Sequence, residues 1–127
     1  AANKVLTPSY ISLETVLQKE GVVFQDYGSV IFVVSYQTRE IKLGDYNIHF
    51  KKIKNEILTN PEGIDIKNNY SIATKERAFM DALYLYKDYY FDNLRSLDWE
   101  KARRFLPVYS SKTMEKRFKN YVRDFQT

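Results

Sequence analysis

The chain changes its hydrophobic period once, and that change most constrains its fold. After one early helical stretch, apolar residues up to about position 73 alternate or run in short β-branched blocks, which is strand patterning. From Thr74 onward they recur at helical spacing. The segment SVIFVVSYQ (29–37) is β-branched and aromatic and predicts a buried strand. Gly44-Asp45 supplies a turn between two further strands, Glu40–Leu43 and Tyr46–Ile53. In the second of these, Tyr46, Ile48 and Phe50 alternate with Asn47, His49 and Lys51, which predicts one buried and one wet face. NEILTNPEG (55–63), with Pro61 and Gly63, reads as a loop. IDIKNNYSIA (64–73) predicts a hairpin turning on Asn68-Asn69, because asparagine tolerates positive φ.

Four helices frame these strands. Ser12 is placed to cap a helix from Leu13 to Glu20, stopped by Gly21. Thr74 caps Lys75–Tyr86, and Asp98 caps Trp99–Leu106, which Pro107 is expected to end. Ser110 or Ser111 caps the last helix, Lys112–Phe125. KDYYFDN (87–93) reads as a break and LRSL (94–97) as a short turn. The order predicts an α+β domain, with a mainly antiparallel four- to five-stranded sheet packed against an N-terminal helix and three C-terminal helices.

The 127 residues are one domain's worth, and 44% hydrophobic content suffices for a real core. The absence of cysteine excludes disulfides and thiolate metal sites and fits a reducing cytoplasm, the expected location. The longest apolar run, VIFVV (30–34), has strand length, far from the roughly 20 residues of a membrane span. The opening AANKVL carries no initiator methionine and no leader pattern, so residues 1–127 are expected to be one C-terminal domain of a longer protein. Net charge is +4 and the pI about 9.2, which permits nucleic acid or an acidic partner without requiring either.

No catalytic pattern emerges. The single histidine, His49, lies on an outward strand position among basic residues, which leaves zinc short of ligands and acid–base catalysis without a good base. The nearest carboxylates, Asp88 and Asp92, sit in the break. Glycine-rich phosphate loops and nucleophile elbows are absent from the sequence. The expectation is a non-enzymatic domain without metal or cofactor. Arg77 and Asp81 are spaced i,i+4 beside an apolar face of Ala78, Phe79, Ala82, Leu85 and Tyr86, next to Tyr84. The pair either sits at a partner-binding surface or, the favoured reading, is a partly buried pair that fixes the helix.

Two stretches carry a family likeness. ANKVLTPSYISLETVLQKEGV matches through Pro8, Ser9, Tyr10, Ser12, Leu13, Glu14, Leu17 and Gly21, and IATKERAFMDALYL through Ala73, Thr74, Glu76, Arg77, Ala78 and Asp81. On these the chain resembles the C-terminal region of AbiEi-family antitoxins, the transcriptional-regulator half of abortive-infection toxin–antitoxin systems. The likeness covers about Ala2 to Leu85, and the last third matches only loosely. Lys75 stands where the family usually has proline, a favourable but dispensable first helical residue. The resemblance implies an upstream winged helix that binds operator DNA. It also implies a C-terminal domain that counters a nucleotidyltransferase-like toxin, with or without stable contact. The winged helix has no counterpart in this sequence, so its DNA-reading residues have no positions here. Tyr10, Ser12, Glu14, Thr74, Arg77 and Asp81 are the family-motif residues, structural or partner-binding.

Basic surfaces supply the remaining candidates. Lys112, Lys116, Lys119 and Arg123 fall within about 60° on a helical wheel. Met114, Phe118, Tyr121, Val122 and Phe125 lie opposite, with Glu115 and Asp124 off the stripe. Lys101, Arg103 and Arg104 form a second group, and HFKKIK adds Lys51, Lys52 and Lys54. Such faces are either solvated or contact phosphate. Lys112, Lys116, Lys119, Arg123, Lys101 and Arg104 are the nucleic-acid candidates. The run YLYKDYYF (84–91) is either core plus a partner surface or a base-stacking platform. Two other readings stand beside the antitoxin: a nuclease-like α+β enzyme domain whose acids have no clear positions, and an unrelated protein-interaction module.

Overall fold

The computed structural model describes residues 7–126. The ANKVL opening of the first matching stretch, and the expected junction with an upstream domain, lie outside them. The class is α+β, as expected, but the sheet is larger and more mixed. Six strands run in the order β3-β4-β2-β1-β6-β5. They are β1 (Ser9–Ile11), β2 (Val30–Ser35), β3 (Arg39–Leu43), β4 (Tyr46–Lys52), β5 (Ile64–Ile66) and β6 (Ser71–Ala73). Three pairings are antiparallel; β1 with β6 and β2 with β4 are parallel. The unexpected strand, β1, joins the two halves of the sheet, pairing with β2 on one side and β6 on the other. Three residues are too few to show a period, so this strand had no signature.

The turns obey the local chemistry. Gly44 takes φ +62 between β3 and β4, and the β5–β6 hairpin closes through Lys67 N–H to the Tyr70 carbonyl at 2.7 Å. The expected 55–63 loop begins instead with one helical turn, α2 (Asn55–Leu58), which buries Ile57 and Leu58. Helix α1 (Glu14–Lys19) comes directly after β1. Its N-cap position is Leu13, at φ +58, with no side-chain cap. The expected Ser12 cap is therefore wrong: the sharp turn at Leu13 aims the Ser12 hydroxyl away from the helix, into the core.

The C-terminal half packs α3 (Lys75–Leu85), α4 (Trp99–Arg104), α5 (Leu106–Tyr109) and α6 (Lys112–Gln126). Thr74 Oγ1 accepts from Arg77 N–H and Asp98 Oδ1 from Lys101 N–H, so both caps form. Ser111 rather than Ser110 caps α6, accepting from Met114 N–H at 3.1 Å. Pro107 does not end a helix but opens α5, because the first turn needs no amide from it.

Both faces of the sheet carry apolar residues. Tyr10, Phe32 and Val34 join the helices in the main core. Val33, Ile48 and Phe50 form a second, smaller cluster with Ile31 and Ile41, in register across β2 and β4. The alternation expected for β4 holds at Ile48 and Phe50, whereas Tyr46, at the hairpin end, is 52% exposed. His49 is half-buried, its ring 5.4 Å from Phe32 and its Nε2 3.1 Å from Glu40.

Candidate functional site

Helix α3 is packed by α1, α4, α6 and β6, so almost every side chain on it is enclosed. That settles the position of its charged pair. Arg77 and Asp81 are both fully buried, with Nε and Oδ1 3.4 Å apart. They do not sit at a surface, nor are they only partly buried. An ionised pair in such a place survives only if its other donors and acceptors are satisfied, and here they are. Arg77 Nη1 donates to the carbonyls of Asn60 and Glu62. Its Nη2 donates to the Ile57 carbonyl at 2.8 Å and to Tyr10 Oη at 3.1 Å. With Nε on Asp81, all five guanidinium hydrogens are used.

Asp81 is satisfied to the same degree. Its Oδ2 accepts from the Tyr10 and Ser12 hydroxyls at 2.8 and 2.9 Å. Its Oδ1 accepts from the Tyr109 hydroxyl at 2.6 Å and from Arg77. The network thus ties β1, the turn into α1, α2 with the loop after it, α3 and α5 to one point. Gly63 makes the packing possible: at φ +75, a Cβ there would lie 2.7 Å from Phe105 Cζ and 3.0 Å from Arg77 Cβ.

The electrostatics reflect the burial. Burial pushes the Asp81 carboxyl up, while Arg77 and the hydroxyls of Tyr109, Tyr10 and Ser12 pull it back. Burial pushes Arg77 down, but Asp81, Tyr10 and Tyr109 together outweigh it and the guanidinium rises above its ordinary value. The two directions conflict, since one makes the carboxylate costly to ionise and the other takes it as ionised. Geometry decides between them. Four donors on the carboxylate and five acceptors around the guanidinium suit the charged pair. Burial, and then Asp81, raise both Tyr10 and Tyr109 well above the usual phenol range.

Four of the six motif residues, Tyr10, Ser12, Arg77 and Asp81, therefore meet in one network, although they come from stretches up to 71 positions apart. The other two stand beside it. Thr74 caps α3, and buried Glu14 accepts from the Tyr86 hydroxyl at 3.0 Å. Nothing in the sequence pointed to Tyr109 or to the three backbone carbonyls. Tyr109 lies in the loosely matching last third, and a carbonyl acceptor has no residue signature at all.

The cations divide into two sets. Lys112, Lys116, Lys119 and Arg123 are all exposed on α6, and Arg123 reaches sideways off the stripe to Asp124, 3.5 Å away. Lys101, Arg103 and Arg104 do not form one group. Lys101 lies 3.7 Å from buried Glu76 and shares with Arg104 an open cleft of about 440 Å³, whose rim also carries Glu62 and Asp65. None of the four α6 cations lines that cleft. Arg103 pairs with Glu100 and lies over the Phe118 ring. Lys54 pairs with Glu56 at 3.8 Å. Arg117, which the helical wheel did not single out, donates to the Leu83 and Tyr84 carbonyls and closes the C-terminal end of α3.

The aromatic run is core rather than platform. Tyr86 stacks on Tyr89 at 5.1 Å, Tyr89 meets Phe91 at 4.9 Å, and Phe91 meets Phe79 at 4.8 Å. Tyr90 alone of these points out, at 76% exposure. Asp92 accepts from Phe24 N–H at 2.8 Å, a structural role. Among the described residues there is no group of three or more metal-ligating side chains placed to hold an ion, and no helix is long and apolar enough to cross a membrane. Comparison with protein-family models, curated proteins and solved structures finds no match.

Proposed function

We propose that this domain is a non-enzymatic antitoxin and regulatory domain of the AbiEi type. In this reading it counters a nucleotidyltransferase-like toxin and supports operator binding by the full-length protein in the cytoplasm. The observation that carries the reading is the meeting of the two resembling stretches. Tyr10 and Ser12 from the first, and Arg77 and Asp81 from the second, are partners in one closed network. Two motifs matched independently along the chain are thus halves of one structural unit. Every polar group of that unit is engaged within the chain, so function on this reading is carried by the outer surface. There the α6 cations offer contacts to phosphate that add affinity without reading bases.

Co-expression tests the reading. A nucleotidyltransferase-like toxin encoded beside this gene should arrest growth when expressed alone, and the full-length protein should restore it. If growth stays arrested with the full-length protein abundant and folded, the antitoxin reading fails.

A further inference from the structure

We propose that β3 is a self-association edge, which pairs antiparallel with β3 of a second copy of this chain about a two-fold axis through Ile41. β3 ends the sheet, with β4 its one strand partner among the described residues. The direction of its free backbone groups is set by β4. Asn47 N–H donates to the Ser29 carbonyl and Ile53 N–H to the Ser35 carbonyl, so the odd positions of β4 face β2. The even positions 46, 48 and 50 face β3, where their register partners are Leu43, Ile41 and Arg39. Alternation then leaves the N–H and C=O groups of Glu40 and Lys42 pointing outward from the edge.

Those two residues match each other. Antiparallel pairing centred on Ile41 sets Glu40 opposite Lys42 of the second copy, and Lys42 opposite its Glu40. Both are hydrogen-bonded positions, so the two copies exchange four backbone hydrogen bonds. Glu40 and Lys42 lie on one sheet face, in register with His49 and Asn47. Each crossing therefore places opposite charges as direct neighbours. On the other face Ile41 meets its own copy, which extends the apolar cluster of Ile31 and Ile48 across the axis. Leu43, 48% exposed, meets the stem of Arg39 of the second copy.

The alternative registers are worse. Centring on Glu40 or on Lys42 preserves the backbone pairing but sets a charge against its own copy. An axis between two residues sets outward-facing backbone groups against inward-facing ones. Charges commonly guard sheet edges against pairing. A guard of alternating sign in this order does not repel its own copy.

Sedimentation and cross-linking of the whole chain test the proposal. The wild type should show a concentration-dependent dimer. Glu40→Lys or Lys42→Glu alone should weaken it about tenfold, since each sets like charges opposite one another at two symmetric positions. The double reversal should restore it. The chain has no cysteine, so Ile41→Cys with mild oxidant gives a register-specific readout. At a non-hydrogen-bonded pair the Cα atoms lie about 4.5 Å apart, within disulfide reach. A disulfide dimer should form with Ile41→Cys and much more slowly with Lys42→Cys. A wild type monomeric at every concentration overturns the proposal. So does a dimer indifferent to the single reversals, or equal cross-linking at both positions.

Discussion

Two pairs of charged residues in this chain have the same i,i+4 spacing and opposite fates. Arg77 and Asp81 are sealed in α3 with every hydrogen-bonding position engaged within the chain. Lys112 and Lys116 stand in water on α6. Spacing does not separate them; their surroundings do. Between and around Arg77 and Asp81 lie Ala78, Phe79, Met80, Ala82 and Leu83, all buried, so the helix has almost no wet side. Around Lys112 and Lys116 lie Thr113 and Glu115, exposed, and the apolar residues keep to the opposite face. A charge on a helix without a wet face must be met by protein groups, and meeting it fixes the elements that supply them. A charge on an amphipathic helix is free to meet something else.

Breaking the interior pair is expected to have the largest effect. Asp81→Ala leaves a buried guanidinium without its counter-charge, and Arg77→Ala leaves the carboxylate alone. Each should cost about 3–5 kcal/mol in urea or thermal unfolding. Arg77→Ala should also loosen α2 and the segment after it, where the Ile57, Asn60 and Glu62 carbonyls lose their donor. Amide exchange there should rise more than in β3 and β4. If either substitution costs under about 1 kcal/mol, far below the cost of orphaning a buried charge, the network does not hold the fold together.

Alkali reaches the same network by another route. Tyr10 and Tyr109 hold their protons well above the ordinary phenol value of 10.0, through burial and then the Asp81 charge. In the unfolded chain they release them near that value. Above about pH 10 the unfolded state therefore binds fewer protons, and stability falls as pH rises. Below it this contribution is fully present. The slope approaches about 1.4 kcal/mol per pH unit for each such tyrosine. Melting curves at pH 8, 9.5, 10.5 and 11 should show the loss beginning near 10. Tyr109→Phe should make the decline shallower, while lowering stability at pH 8 through the missing donor to Asp81. A flat profile up to pH 11 contradicts the raised phenols.

The contrast between the two sites also explains what was legible beforehand. Caps and periods are local, so Thr74, Asp98, the two hairpins and the wet face of α6 could be read from neighbouring residues. The network is not local. Asp81 draws its donors from positions 10, 12, 77 and 109, and only the nearest of these shares its helix. Ser12 shows how a local rule fails: an N-cap residue before an apolar run is the ordinary reading, and a long-range carboxylate outcompetes it. The same holds for β1, whose three residues have meaning only between β2 and β6. It holds too for Pro107, since a proline opens a helix or stops one according to the residues on its C-terminal side.

The smallest expected change in stability is at the other pole, and it separates a solvated stripe from a working one. Lys116→Glu with Lys119→Glu replaces two exposed cations on the wet face of α6, so unfolding should shift by no more than about 0.5 kcal/mol. Binding should respond quite differently. If the stripe meets phosphates, the full-length protein should lose operator affinity, because two attractive contacts become repulsive. The slope of log affinity against log salt should flatten by about 1.8, the release of two fewer counterions. The buried pair offers the control. Asp81→Ala should unfold the domain more readily yet leave the salt slope of the folded fraction unchanged, since no phosphate reaches it. Unchanged affinity and slope in the Lys116/Lys119 variant would make the α6 stripe a solvated face.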